Sequence, residues 1–452
     1  MIPVNSFIFS FRKNKKNIQY IGLLLLFIFL FSVVNRVLSF VSLDDETSYT
    51  RVMMHELYHP DDNIDVLFLG SSHCYRALNP EITDSIFCAN TFNAGTSSQY
   101  LDGSYALLVE AGKRNHLEKV YVEMYFAQQN KVYDERTEMR STYIISDYMH
   151  PSYNRFSYLI HASNKKYWLN GFSPAVRNRE NWLQIEYLRD VLVWKNQSDY
   201  KAYVYPKEDN QEYREKGFVA NYSRMTDNEY SMQGGLCGIP SNQFTDDDRK
   251  SIRNIVEYCE KHQIELTFFS VVMPEYLLSI VGNYDEYITQ MQGIAESYGV
   301  KYYDFNLVRE EYFPDDCAYF SDANHLNIYG AEKFSRLFAE LFSGQLSEKD
   351  VFYSSYCEKM ENEPEKTYGI VYNINQDNNK KEICIEPVIN KDPLIFSTIY
   401  KQIKGETEKE KIQYLQTVQN IIVPTDERGE LSIYFYSDSK GENMTNEFHI
   451  DY

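Results

Sequence analysis

The sequence predicts an α/β protein built on a parallel sheet, preceded by one membrane-spanning helix and followed by a small all-β domain. Three observations carry this. An almost uninterrupted apolar run fills residues 20–34, directly behind the basic residues Arg12, Lys13, Lys15 and Lys16. From Asp65 onward, short apolar runs alternate with stretches of helical periodicity at the pitch of right-handed βαβ units. Beyond residue 367, short alternating segments are separated by turn signals.

Residues 18–41 give enough helix to cross a bilayer core of about 30 Å, with Arg36 near one end and able to snorkel outward. Basic residues precede the run, and Asp44, Asp45 and Glu46 follow it. The positive-inside rule then makes residues 1–17 a cytoplasmic tail and places the rest outside the cell membrane. A cleaved signal peptide has the same charge pattern, but no small-x-small site follows the run. A buried core helix would show a polar face, and residues 22–34 show none.

The formal net charge of −20 argues against non-specific binding to nucleic acid or to an anionic surface. Hydrophobic residues at 43% and charged residues at 24% indicate a globular chain. The seven cysteines form no CxxC pair and no Cys/His cluster, so no zinc site or disulfide framework is expected, and no cofactor.

In order, residues 66–69 read as the first strand, 80–87 as a short helix and 89–94 as the second strand. Residues 98–115 carry apolar positions at helical spacing, and 119–126 alternate as a third strand. Residues 127–243, rich in Tyr, Asn, Arg and Trp, break the rhythm and read as an insertion that shapes a cleft or serves as a structural cap. Alternation resumes with Thr245 as an N-cap followed by three acidic residues, then a near-continuous apolar strand at 264–273. A helix at 284–298, a strand at 300–305 and a helix at 330–342 complete an α/β domain over 60–345. Residues 346–367 are charged and linker-like, and 368–452 form the β-rich domain.

Two stretches carry chemistry. Asp65-Val66-Leu67-Phe68-Leu69-Gly70-Ser71-Ser72-His73 ends a buried strand in a turn with two hydroxyls and an imidazole, the placement an acyl-transfer nucleophile needs. Asp322-Ala323-Asn324-His325-Leu326-Asn327 puts an Asp three residues before a His on one loop. The Asp can orient the imidazole through Nδ1 and leave Nε2 to accept a proton from a serine. Each has a bland alternative. Ser71 and Ser72 could cap a helix, His325 could be an ordinary loop residue, and Asp322 could be an N-cap.

Together, Gly70-Ser71-Ser72, Gly95 after the second strand and Asp322-x-x-His325-Leu-Asn resemble the blocks of the SGNH/GDSL hydrolase superfamily. More narrowly, with the anchor and the Gly-Ser-Ser-His form, they resemble a membrane-anchored bacterial branch. That branch includes the D-alanyl transfer protein of teichoic-acid alanylation and SGNH proteins of polysaccharide O-acetylation. The resemblance implies a flavodoxin-like three-layer α/β/α fold, with Ser72 as nucleophile, His325 as general base, Asp322 as its partner and Gly95 in the oxyanion hole. It further implies an esterase or acyltransferase for O-acyl groups of a cell-envelope glycopolymer, working with a membrane-bound O-acyltransferase. One block departs: Glu123-Met124-Tyr125-Phe126 stands where the family has Gly-x-Asn-Asp, which supplies an oxyanion Asn. Asn93 is the candidate replacement if the loop turns its amide inward, and Ser71 and His73 are candidates to line the cleft. The rival expectation is a non-catalytic binding or assembly protein on a degenerate SGNH scaffold.

Overall fold

The structure is a computed structural model that describes residues 15–126, 139–226, 231–233, 244–281, 284–364, 367–377, 380–389, 396–415, 419–436 and 444–452. All of the sequence-read strands lie within these bounds, and most of the tail at 1–17 lies outside the described residues. The fold is mixed α/β. Five parallel strands, β1 (Val66–Leu69), β2 (Thr91–Asn93), β3 (Lys119–Glu123), β4 (Glu265–Ser270) and β5 (Lys301–Asp304), form one sheet in the order β2-β1-β3-β4-β5. This is the flavodoxin-like doubly wound order, with a switch point between β1 and β3, the place at which sheets of this kind bind ligands beyond the carboxyl ends of their strands.

β1 is apolar throughout, and the buried parts of β3 and β4 largely so, because both faces of the sheet are covered. Leu67 and Leu69 of β1, Val120 and Val122 of β3 and Phe268 of β4 join one buried cluster. The same cluster takes in residues of α2 (Tyr49–Tyr58), α5 (Leu101–Ala111), α6 (Asp246–His262) and α7 (Tyr284–Ser297), while Phe87 of α4 (Pro80–Phe87) packs on the opposite face. Val66, Phe68, Tyr121 and Phe269 face the other way and pack with Phe334 and Phe338 of α8 (Ile328–Phe342). Thr245 starts α6 as expected, with its hydroxyl capping the Asp248 amide and the Asp248 carboxylate returning to the Thr245 amide.

The described residues of 367–451 form seven strands, β6 (Thr367–Asp377), β7 (Lys380–Ile389), β8 (Phe396–Ile403), β9 (Glu410–Leu415), β10 (Gln419–Pro424), β11 (Gly429–Tyr436) and β12 (Met444–Asp451). β10, β7 and β6 pair antiparallel in one sheet, and β9, β8, β11 and β12 in a second. A short strand from the insertion, Ser231–Gln233, extends the first sheet by pairing parallel to β6. The inward residues of both sheets, such as Ile383 and Leu431, belong to the same cluster that covers the outer face of Phe68 and Phe269.

Residues 346–367 differ from the linker expected of their charge. They hold two short helices, Glu348–Val351 and Tyr356–Asn362. Lys359 is buried, forms an ion pair with the buried Glu275 and donates to the Asn306 carbonyl at 2.8 Å. Charge that reads as solvated in the sequence is here paired in the interior.

The described residues divide into two compact units: 15–46 with 165–204, and those within 47–164 with those within 205–452. The middle of the insertion therefore groups with the N-terminal helix and not with the sheet. In that first unit, α1 (Lys15–Ser42) is long and apolar enough to cross a membrane, and its side chains from Tyr20 to Val34 are exposed. Its last turn is capped from helix Ile185–Lys195. Lys195 Nζ donates to the Phe40 carbonyl (2.7 Å) and the Leu43 carbonyl (2.6 Å) and pairs with Asp45 at 3.0 Å. Those carbonyls would otherwise be orphans of a helix end.

Candidate active site

β1 delivers the chain to Gly70, and two backbone bonds then fix the turn: Ala94 N–H to the Phe68 carbonyl (2.8 Å) and Thr96 N–H to the Gly70 carbonyl (3.1 Å). Gly70 is required by close approach. A Cβ there would fall within 3.0 Å of the Glu123 side chain and the Cys74 Cβ. The helix α3 (Ser72–Ala77) starts at once, and the two serines divide the work. Ser71 is buried and is the N-cap, its Oγ accepting from the His73 amide. Ser72, the first helical residue, carries its hydroxyl to the loop before α8.

There Ser72 Oγ lies 2.8 Å from His325 Nε2. His325 Nδ1 lies 2.9 Å and 3.1 Å from the two Asp322 oxygens. A ring nitrogen facing a carboxylate carries the proton, so Nε2 is the acceptor for the serine hydroxyl. Asp322 also accepts the amides of Asn324 and His325, each at 2.9 Å. Burial alone would raise the Asp322 carboxyl; the His325 contacts and these amides outweigh it and hold it at about 2. Helix capping falls to Asn327. Its Oδ1 accepts the Tyr329 and Gly330 amides at 3.0 Å, and its Nδ2 holds the Ala318 carbonyl at 2.8 Å. Asp322 is thereby left to His325.

The expected oxyanion donors are placed differently. The Gly95 amide donates to Asn93 Oδ1 at 3.0 Å, and Asn93 Nδ2 gives its protons to the Cys74 and Leu78 carbonyls, each at 2.9 Å. Asn93 is fully buried and braces the end of α3 against β2. It is a bracket for the turn, and its amide does not turn toward Ser72. No carbonyl among the described residues accepts the Ser72 amide, which sits at a helix start where such groups lack intrahelical partners.

A second layer lies beneath the imidazole, and sequence reasoning singled out only part of it. His73 is buried, stacks on His325 with centroids 4.7 Å apart, and meets Asn324 Oδ1 through Nε2 at 2.9 Å. Tyr125 donates to the same Asn324 oxygen at 3.2 Å. His73 Nδ1 faces Ser71 Oγ at 3.2 Å and Glu123 Oε1 at 3.7 Å. Burial, then the neighbouring His325, pushes His73 down to about 3. Glu123, at the end of β3, accepts the Ser71 amide at 2.5 Å, and burial pushes its carboxyl up to about 7. Glu123, Tyr125 and Asn324 were not foreseen as parts of the site. The visible signal was the departure of Glu123-Met124-Tyr125-Phe126 from the family block, at the end of the strand beside β1. Among the described residues, no group of three or more His, Cys, Asp or Glu side chains could hold a metal ion.

No protein-family model matches the chain, and no curated protein matches it. Solved structures give weak likenesses. A Streptococcus pneumonia protein provisionally described as a platelet activating factor is 11% identical, with 73% of this chain and 99% of that one covered, at a TM-score of 0.31. A gut microbial diltiazem-metabolizing enzyme is 12% identical, with 75% and 59% covered, at a TM-score of 0.19.

Proposed function

We propose that the protein is a membrane-anchored extracellular serine esterase or O-acyltransferase of SGNH type, acting on acetyl or D-alanyl esters of a cell-envelope polysaccharide or teichoic acid. The observation that carries this reading is the chain of contacts from Ser72 Oγ through His325 to Asp322. Ser72 attacks the ester carbonyl while His325 Nε2 takes its proton. Asp322, held ionised, stabilises the imidazolium. His325 then returns the proton to the departing alkoxide, leaving an acyl-serine. A sugar hydroxyl or water, deprotonated in turn by His325, resolves it. The Ser72 amide is the donor best placed to meet the oxyanion. A membrane-bound O-acyltransferase is the proposed source of the acyl group, and α1 the anchor, with its N-terminus cytoplasmic.

A fluorophosphonate probe on membranes carrying the full chain tests the nucleophile. Labelling is expected in the wild type and lost in Ser72→Ala; equal labelling of the two overturns the reading. One observation favours the rival, a non-catalytic envelope-binding protein: the Asn93 amide and the Gly95 amide already have internal partners. Wild-type protein that takes no probe and retains affinity for an envelope glycopolymer would establish that rival.

A further inference from the structure

We infer that residues 165–204 form an interfacial collar, seated in the headgroup region of the bilayer that α1 crosses; this rests on the anchor reading above. The argument begins with where these residues hold α1. Their contacts with the helix fall between Asn35 and Asp45. Ser173 hydroxyl donates to Asn35 Oδ1, the Ala175 amide to Ser39 Oγ at 3.3 Å, and Asn178 Nδ2 to the Ser42 carbonyl at 3.0 Å. Lys195 caps the end of the helix. Asn35 precedes Ser42 by seven residues, about 10 Å along the axis. The segment is therefore fixed to the last two turns of the span, the depth at which such a helix leaves the hydrocarbon.

Its surface suits that depth. Leu169, Phe172, Trp182, Leu183, Ile185 and Val193 are exposed, Leu183 at 93% and Ile185 at 79%. The 182–185 turn is tied to the helix, since Trp182 Nε1 donates to the Ala175 carbonyl at 3.0 Å and Ala175 in turn reaches Ser39. Residues 165–179 contain four basic residues, Lys165, Lys166, Arg177 and Arg179, and no acidic one, within a chain of net charge −20. Exposed apolar and aromatic side chains beside a local positive charge match an interface of acyl chains and anionic headgroups. The outer bilayer surface is the one partner that this attachment to α1 brings within reach at all times.

All three tryptophans of the chain, Trp168, Trp182 and Trp194, lie in this segment, so selectively excited tryptophan emission reports on it alone. The full chain is reconstituted in phosphatidylcholine–phosphatidylglycerol vesicles with or without bromine high on the acyl chains. Brominated lipid is expected to remove roughly half of the emission, because Trp194 is buried and the other two sit at the interface. The variant Leu169→Glu/Leu183→Glu/Ile185→Glu is expected to recover most of it while remaining in the membrane at alkaline pH. Wild-type protein that resists alkaline extraction yet shows no quenching overturns the collar alone, as does quenching undiminished in the variant. Extraction of the wild type at alkaline pH overturns the anchor and the collar together.

Discussion

At the scale of single residues, the site is a division of labour between neighbours. Ser71 caps α3 and Ser72 faces His325; Asn327 caps α8 and Asp322 serves the imidazole. The buried pair under the imidazole gives a pH prediction. Glu123 keeps in the folded state a proton that the unfolded chain releases, so its contribution to stability falls as pH rises from about 4.5 to about 7. The span corresponds to about 3 kcal/mol at most. His73 acts in the opposite sense. The folded state lacks a proton that the unfolded chain holds, so stability is lost as pH falls from about 6.5 to about 3. The two slopes oppose each other between pH 4.5 and 6.5. In Glu123→Gln only the second remains, and denaturant unfolding should show stability rising with pH across that window. Parallel curves for wild type and variant would refute the assignment.

At the scale of elements, Lys195 makes three of the contacts that hold the end of α1. Lys195 is buried and joins the Phe40 and Leu43 carbonyls to Asp45. Lys195→Met keeps most of the bulk and leaves the Asp45 carboxylate buried without its cation, at a cost of about 3–5 kcal/mol. Hydrogen exchange in residues 36–45 and 165–204 should accelerate, and adding Asp45→Asn should restore part of the protection. Unchanged exchange in the single variant would show that the helices dock without this cap.

At the scale of the whole molecule, the parallel sheet and the β-rich region share a buried cluster and are joined by further bonds. Tyr276 hydroxyl donates to the Ile370 carbonyl at 3.0 Å, and the insertion contributes a strand beside β6. The sequence reads as an α/β domain, a linker and a separate β domain. Residues 47–164 with 205–452 instead form one unit. Thermal unfolding should therefore show the α/β and β-rich parts melting together, and limited proteolysis should release no stable fragment of 368–452. A second, independent transition assigned to that region would contradict the shared core.

What the sequence determined by itself was whatever is written in local pattern. The apolar run of α1, the βαβ alternation and the Thr245 cap are properties of neighbouring residues, and all three stand in the structure. The Ser72, His325 and Asp322 positions were legible for the same reason, as each block sits on one short loop. Tertiary structure alone decided what depends on distant partners. Asn93 reads as a donor facing the site, but its amide bonds go to the Cys74 and Leu78 carbonyls, which no local pattern announces. Residues 346–367 read as solvated because charge usually is, yet Lys359 meets Glu275, 84 positions away, in the interior. The middle of the insertion joined α1 because Lys195 found the carbonyls that end a helix more than 150 residues earlier. A buried polar group must find its partner wherever the fold supplies one, and that requirement is met in space and not along the chain.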